Sequence, residues 1–229
     1  MPNDVPPKDV VARPRFAGLP AGSFLWRVTR QPGPAAGGPV SPFRALPDDE
    51  DYDPREGGRF DPTPECPYPY CYAALDDLTA LCEVLLRDVG FSAPTRYLLL
   101  RQVTGRRLAL LETREPLWLV SLTDAANLAA ACQDSWLIHA ESPDYRMTRR
   151  WAHWLHDSLA PDGRHPAGLI WPAKRQPGGQ AVLLFGDRCG DSVVCSSFGE
   201  RLLDDDDGLE WLNLRLALLR TQIRRSRTT

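Results

Sequence analysis

Residues 57–86, GGRFDPTPECPYPYCYAALDDLTALCEVLL, carry the strongest structural signals of this chain. They open with a glycine pair before Arg59, a turn in which the backbone can approach a ligand closely. From Ala73 to Val89, apolar residues recur at helical spacing and predict an amphipathic helix. Glu83 lies in the apolar half of this helix. A carboxylate at such a position is usually on the surface, and it is a functional candidate only if a partner holds it in a site.

Outward from this segment, strand and helix patterns follow each other irregularly. Short apolar runs predict strands at 24–28, 117–122, 168–171 and 181–185. Longer periodic segments predict helices at 124–132, 145–159 and 209–223, and the runs at 97–103 and 107–111 fit either type. Trp151 and Trp154 share the apolar face of the helix at 145–159 and are expected in the core. The pattern lacks regular strand–helix–strand units and predicts an α+β fold with small mixed or antiparallel sheets flanked by helices.

Composition narrows the class of protein. The 229 residues are 43% hydrophobic and 25% charged, as in globular domains, and a net charge of −3 argues against direct nucleic-acid binding. We expect no membrane span and no secretory signal, because the sequence lacks apolar segments of the required length. Six cysteines in a chain of this length favour reduced thiols in a cytoplasm. Cys66 and Cys71 lack a second pair at metal-ligand spacing, so we expect no metal site.

Several segments occur together in an order that is informative. The Gly-Gly-Arg turn precedes Tyr72, and Glu83 follows Tyr72 by eleven residues. An apolar strand, a Tyr-x-x-Thr helix start and a closing strand pair come later, at 116–122, 144–152, and 167–172 with 181–185. In these features the chain resembles the RES-domain family, the toxins of RES–Xre toxin–antitoxin systems. The resemblance covers about residues 22–190.

The resemblance implies a fold, an activity and a partner. RES domains are similar in fold to ADP-ribosyltransferases and degrade NAD, which is the substrate, by hydrolysis or phosphorolysis and without a further cofactor. An Xre-like helix-turn-helix antitoxin is the implied protein partner. The implied organisation is an irregular N-terminal leader at 1–21, a RES-like domain at 22–190, and a C-terminal extension at 191–229 that ends in an amphipathic helix.

The resemblance also assigns the charged site residues. Glu83 matches the catalytic carboxylate, which would stabilise the positive charge of an oxocarbenium-like transition state. Arg59 matches an arginine that holds the pyrophosphate through charge-assisted hydrogen bonds. Arg27 is the predicted second arginine of this group. Arg44 is a rival for that second role, because the segment at 31–56 is longer than the resemblance leads us to expect.

The remaining site residues include one departure from the family. Tyr72 is predicted to stack on the nicotinamide or to hydrogen-bond the ribose. After the strand at 168–171 the family has a serine, but this chain has Ala173, which cannot form a hydroxyl hydrogen bond. Losing such a bond typically costs about 1–3 kcal/mol. Lys174 or Arg175 could contact phosphate there instead, and Arg175 is the predicted substrate ligand.

Three hypotheses of function follow. The first is an NAD-degrading enzyme, favoured by Arg59, Tyr72 and Glu83. The second is a RES-like module that binds nucleotide or partner but has lost turnover, favoured by Ala173. The third, an ADP-ribosyltransferase acting on a macromolecule, rests on fold analogy alone.

Overall fold

The computed structural model describes residues 5–11, 13–30, 41–45, 52–91, 93–196 and 199–224. Most of the segment at 31–56, which sequence analysis singles out, lies outside these ranges. The strands are β1 (Phe16–Leu19), β2 (Phe24–Thr29), β3 (Tyr70–Ala74), β4 (Arg96–Leu99), β5 (Arg107–Thr113), β6 (Leu117–Ser121), β7 (Gly168–Pro172), β8 (Gln180–Phe185), β9 (Val193–Cys195), β10 (Arg201–Leu202) and β11 (Thr221–Arg224). The α-helices are α1 (Asp77–Leu85), α2 (Leu100–Val103), α3 (Ala125–Ala130), α4 (Trp136–His139), α5 (Tyr145–His156), α6 (Gly186–Cys189) and α7 (Asp206–Ala217).

One mixed sheet of nine strands dominates the structure and confirms the α+β class. Its order is β1-β6-β7-β8-β3-β2-β5-β10, with β9 also paired to β5. Among the described strands of this sheet, only β6 and β7 run parallel to each other. The sheet is larger than expected partly because residues 16–19, within the predicted leader, pair with β6. The strands β4 and β11 form a separate parallel pair.

The helix predicted from Ala73 begins only at Asp77. Ala73 and Ala74 belong instead to β3, which pairs with β8. The Asp76 carboxylate accepts a hydrogen bond of 2.8 Å from the Thr79 amide and so caps the first turn of α1. Helix propensity is a weak preference, and the strand pairing with β8 outweighs the helix propensity of the two alanines.

The final helix is also shorter than predicted. It ends at Ala217 rather than at residue 223, and residues 221–224 form β11. Arg220 takes a positive φ of 50°, a left-handed conformation that breaks the helix and turns the chain back. Thr221 then pairs with Arg96 of β4. The last described residues of the chain therefore form a strand and not the end of a helix.

Both faces of β7 and β8 are buried. Leu169 and Leu183 pack in one cluster with Trp151 of α5, while Ile170 and Val182 pack in a second cluster on alternate positions. Trp151 is fully buried, as predicted. Burial of both faces explains why these strands are continuous apolar runs in the sequence. In the part of the chain that the structure describes, no helix is long and apolar enough to cross a membrane.

Candidate functional site

A cavity of about 410 Å³ lies where β2, β3, α1 and the turn after β7 meet. This volume is in the range of small-molecule and cofactor sites. All five of the residues that sequence analysis selects as substrate ligands or catalytic group line it: Arg27, Arg59, Tyr72, Glu83 and Arg175. The structure therefore brings the candidates together, although they come from segments far apart in the chain.

The wall of this cavity is strongly basic, in contrast to the chain as a whole. The basic lining residues are Arg27, Arg44, Arg59, Arg87, Arg106, Lys174 and Arg175. The acidic ones are Asp61, Glu83 and Asp88. Seven basic residues against three acidic ones, in a chain of net charge −3, make the cavity a local positive region. A concave positive surface attracts anionic ligands.

Glu83 is half-buried on α1 and is held from outside its own helix. Its Oε1 accepts hydrogen bonds from the backbone amides of Lys174, at 2.9 Å, and Arg175, at 3.4 Å. None of the described residues donates a hydrogen bond to Oε2. The carboxylate is thus a positioned group in a cavity wall rather than a freely solvated surface residue.

Arg59 places a buried positive charge in the same wall. Its side chain is 7% exposed, and Nη2 donates to the Ala140 carbonyl at 3.2 Å. Its Nε has no hydrogen-bond partner among the described residues. Burial lowers the pKa of this guanidinium from its usual range. None of the described carboxylates forms an ion pair with Arg59, and a buried cation in this situation favours an anionic ligand.

The glycine pair before Arg59 is required by packing within the protein. Gly57 has a φ of 92°, which favours glycine. A Cβ on Gly58 would lie 2.7 Å from the Tyr72 hydroxyl oxygen and 2.5 Å from Asp61 Oδ1. The close approach that the glycines permit is therefore to Tyr72 and Asp61, and the Gly58 amide donates to Asp61 Oδ2 at 2.7 Å.

Helix α5 holds the Arg59 turn in place. The Thr148 hydroxyl donates to the Arg59 carbonyl at 2.5 Å. Arg149, which is 1% exposed, donates to the carbonyls of Gly58 at 3.2 Å, Pro54 at 3.0 Å and Glu56. The sequence pattern does not single out this arginine as a site residue. Its position after the Tyr-x-x-Thr motif was the available signal, but nothing local distinguishes it from the exposed arginines beside it.

Tyr72 is largely enclosed by protein. Its hydroxyl oxygen accepts a hydrogen bond of 2.9 Å from the Phe60 amide. Its ring lies edge-on to Tyr70 and Trp171, with centroids 6.0 and 6.2 Å away. Burial, reinforced by the negative charge of Asp61, raises the pKa of the phenol well above its usual value. Tyr72 is therefore a neutral, fixed wall of the cavity, and its contact with nicotinamide or ribose stays a prediction.

The two rivals for the second pyrophosphate arginine both line the cavity. Arg27 is buried and donates to the Pro42 carbonyl. Arg44 is exposed, and its backbone exchanges hydrogen bonds of 2.8 and 2.9 Å with Tyr70. The positions of Arg27 and Arg44 are both compatible with binding the pyrophosphate.

The turn after β7 ties the cavity to the end of α1. Arg175 donates from Nε and Nη2 to the Arg87 carbonyl, at 2.8 and 2.6 Å, and Lys174 forms an ion pair with Glu141. Ala173 is buried and its amide donates to the Gly179 carbonyl at 2.9 Å. Ala173 does not line the cavity, whereas Lys174 and Arg175 do.

Fold and site together define an α+β protein whose basic cavity holds one positioned carboxylate. The family model of the RES domain matches residues 24–211, and the chain belongs to this family. Among solved structures it is similar to the crystal structure of the M. tuberculosis MbcT–MbcA toxin–antitoxin complex, with 17% sequence identity and a TM-score of 0.47. That similarity covers 80% of this chain and 85% of the other. A search of the curated proteins found no match.

Proposed function

We propose that this chain is a RES-type enzyme that cleaves the nicotinamide–ribose bond of NAD, with water or phosphate as acceptor, and that it acts as a toxin. Membership of the RES-domain family supports this proposal. The observation that carries it is Glu83, held by two backbone amides in the wall of a basic cavity. An Xre-like antitoxin is the proposed partner and the cytoplasm the proposed location.

The proposed reaction gives roles to the pyrophosphate-binding arginines and to Glu83. Arg59, with Arg27 or Arg44, binds the pyrophosphate. The bond between ribose C1′ and the nicotinamide nitrogen breaks, and its electron pair goes to the ring, which leaves as neutral nicotinamide. Glu83 stabilises the positive charge that develops on the ribose. Water or phosphate then bonds to C1′, and water in this role releases a proton.

Purified protein is expected to release nicotinamide from NAD. Chromatography would measure nicotinamide and the second product in phosphate-free and in phosphate-containing buffer. ADP-ribose in both buffers indicates hydrolysis, whereas ADP-ribose 1-phosphate in phosphate buffer indicates phosphorolysis. Release no faster than that of a Glu83→Ala control in either buffer would exclude the enzyme.

A nucleotide-binding module without turnover is the alternative, and Ala173 favours it. If the family serine normally hydrogen-bonds the substrate, Ala173→Ser is expected to raise kcat/KM roughly five- to a hundredfold, the equivalent of about 1–3 kcal/mol. Ala181→Ser, which adds a hydroxyl to a buried alanine in the cavity wall, is the control and should give no gain.

The outcomes of this comparison separate the two functions. Vigorous wild-type turnover with no gain from Ala173→Ser would mean either that position 173, which does not line the cavity, does not reach the substrate, or that Lys174 or Arg175 already fills the role of the serine. No turnover in either variant, together with measurable NAD binding, would establish the binding module instead.

A further inference from the structure

Three of the arginines that line the cavity come from the part of the sheet formed by β2, β3 and β5. Arg27 lies on β2 opposite Ala109 of β5. Arg106 immediately precedes β5, and Arg44 pairs through its backbone with Tyr70 at the start of β3. Glu83 and the turn after β7 belong to other elements. Arg27 and Arg44 are rivals for one pyrophosphate position, and Arg106 lies outside the motifs shared with the family. The proposed cleavage reaction therefore leaves Arg106 and one of the other two arginines without a role.

The positive charges of these arginines have no ion-pair partners among the residues that the structure describes. None of Arg27, Arg44 and Arg106 forms an ion pair with a carboxylate of the described ranges. Arg106 is half-buried, and its Nε donates to the Gln102 carbonyl at 2.7 Å. Burial lowers the pKa of this guanidinium, and the positive charges of Arg30 and Arg44 lower it further. Arg44 and Arg106, which line the same cavity, therefore repel each other, and an anion bound between them would relieve this repulsion.

The charges that line the cavity indicate the charge of the anion that the subsite would bind. The seven basic and three acidic lining residues leave a surplus of four positive charges, and the ion pair of Lys174 with Glu141 reduces this surplus to three. NAD brings one net negative charge, because its pyrophosphate carries two negative charges and its nicotinamide ring carries one positive charge. The remaining surplus matches a phosphate dianion. The planar guanidinium forms paired, charge-assisted hydrogen bonds with phosphate oxygens.

We propose that Arg44 and Arg106 form a second anion subsite, which binds a phosphate dianion, and that Arg27 is the second arginine that binds the pyrophosphate. The subsite rests on the proposed cleavage of a nicotinamide dinucleotide. Two sources supply this chemistry: the 2′-phosphate of NADP, bound as part of the substrate, and free inorganic phosphate. In the first case the enzyme prefers NADP to NAD, and in the second the subsite holds the acceptor.

The first experiment compares kcat/KM for NADP and NAD in phosphate-free buffer. Wild type is expected to prefer NADP by about tenfold, and Arg106→Gln should remove most of that preference. The control is Arg101→Gln, which removes the same charge from an exposed position on α2 outside the cavity and should leave the preference unchanged. Arg44→Gln, at an exposed position, provides a second test if Arg106→Gln fails to fold.

The second experiment titrates inorganic phosphate against NAD. If free phosphate occupies the subsite, turnover of NAD saturates with phosphate and Arg106→Gln raises the KM for phosphate by about tenfold. This result supports the subsite and assigns its source. Equal kcat/KM for NADP and NAD, together with a phosphate response that Arg106→Gln does not change, would overturn the proposal.

A third measurement does not depend on turnover. Calorimetry compares binding of adenosine 2′,5′-bisphosphate with binding of AMP, which lacks the 2′-phosphate. Tighter binding of the bisphosphate by about tenfold, lost in Arg106→Gln and kept in Arg101→Gln, supports a 2′-phosphate subsite even if no dinucleotide is cleaved. In that case the proposed function fails while the subsite stands. Equal affinities, in a protein whose turnover is also insensitive to phosphate, count against the subsite.

Discussion

Glu83→Gln is expected to lower kcat for NAD cleavage by roughly 100- to 1000-fold, the usual effect of removing one group that stabilises transition-state charge. Glutamine has almost the same shape, and its carbonyl oxygen can still accept the hydrogen bonds that Lys174 and Arg175 donate to Oε1. The wall of the cavity should therefore keep its form. Because the carboxylate meets a positive charge that exists only in the transition state, KM should change little.

Steady-state kinetics with two comparison variants measure this effect. Asp88→Asn removes a negative charge from an exposed position in the same cavity wall and tests whether any lost charge suffices. Arg59→Ala removes a group that binds the ground state and the transition state alike, so it should mainly raise KM. If Glu83→Gln leaves kcat within twofold, about 0.4 kcal/mol, the carboxylate is structural.

Arg149→Met is expected to reduce the free energy of unfolding by about 3 kcal/mol or more. The change removes three hydrogen bonds from a charged donor, to the carbonyls of Pro54, Glu56 and Gly58, and each such bond typically contributes about 1.5–3 kcal/mol. Because these carbonyls precede Arg59, the turn that carries this arginine should also loosen. Urea denaturation would give the unfolding free energy, and limited proteolysis would detect cleavage near residues 54–58.

The adjacent arginine is a matched control. Arg150 is exposed on the same helix, so Arg150→Met should change the free energy of unfolding by no more than about 0.5 kcal/mol. Both substitutions remove one positive charge and add the same side chain. Equal stabilities of the two variants would contradict the role given to Arg149 as the residue that holds the turn.

Local patterns were reliable where burial is uniform along an element. The strands at 168–171 and 181–185 are confirmed because both of their faces are buried, which leaves a continuous apolar run. The helix at 145–159 is confirmed, apart from its last turn, because one face is consistently apolar. The run at 97–103 was ambiguous for a physical reason: it contains both β4 and α2.

Residue types and their spacing were enough to identify the α+β class, the resemblance to the RES-domain family, and a set of candidates that all line one cavity. Contacts between distant parts of the chain determine how the residues of the site are positioned. Glu83 is positioned by amides about ninety residues away in the chain, at separations of 91 and 92. Every residue except proline has such an amide, so no side chain marks these two in the sequence. Arg149 and Arg106 likewise resemble any surface arginine until packing buries the first and places the second in the cavity wall.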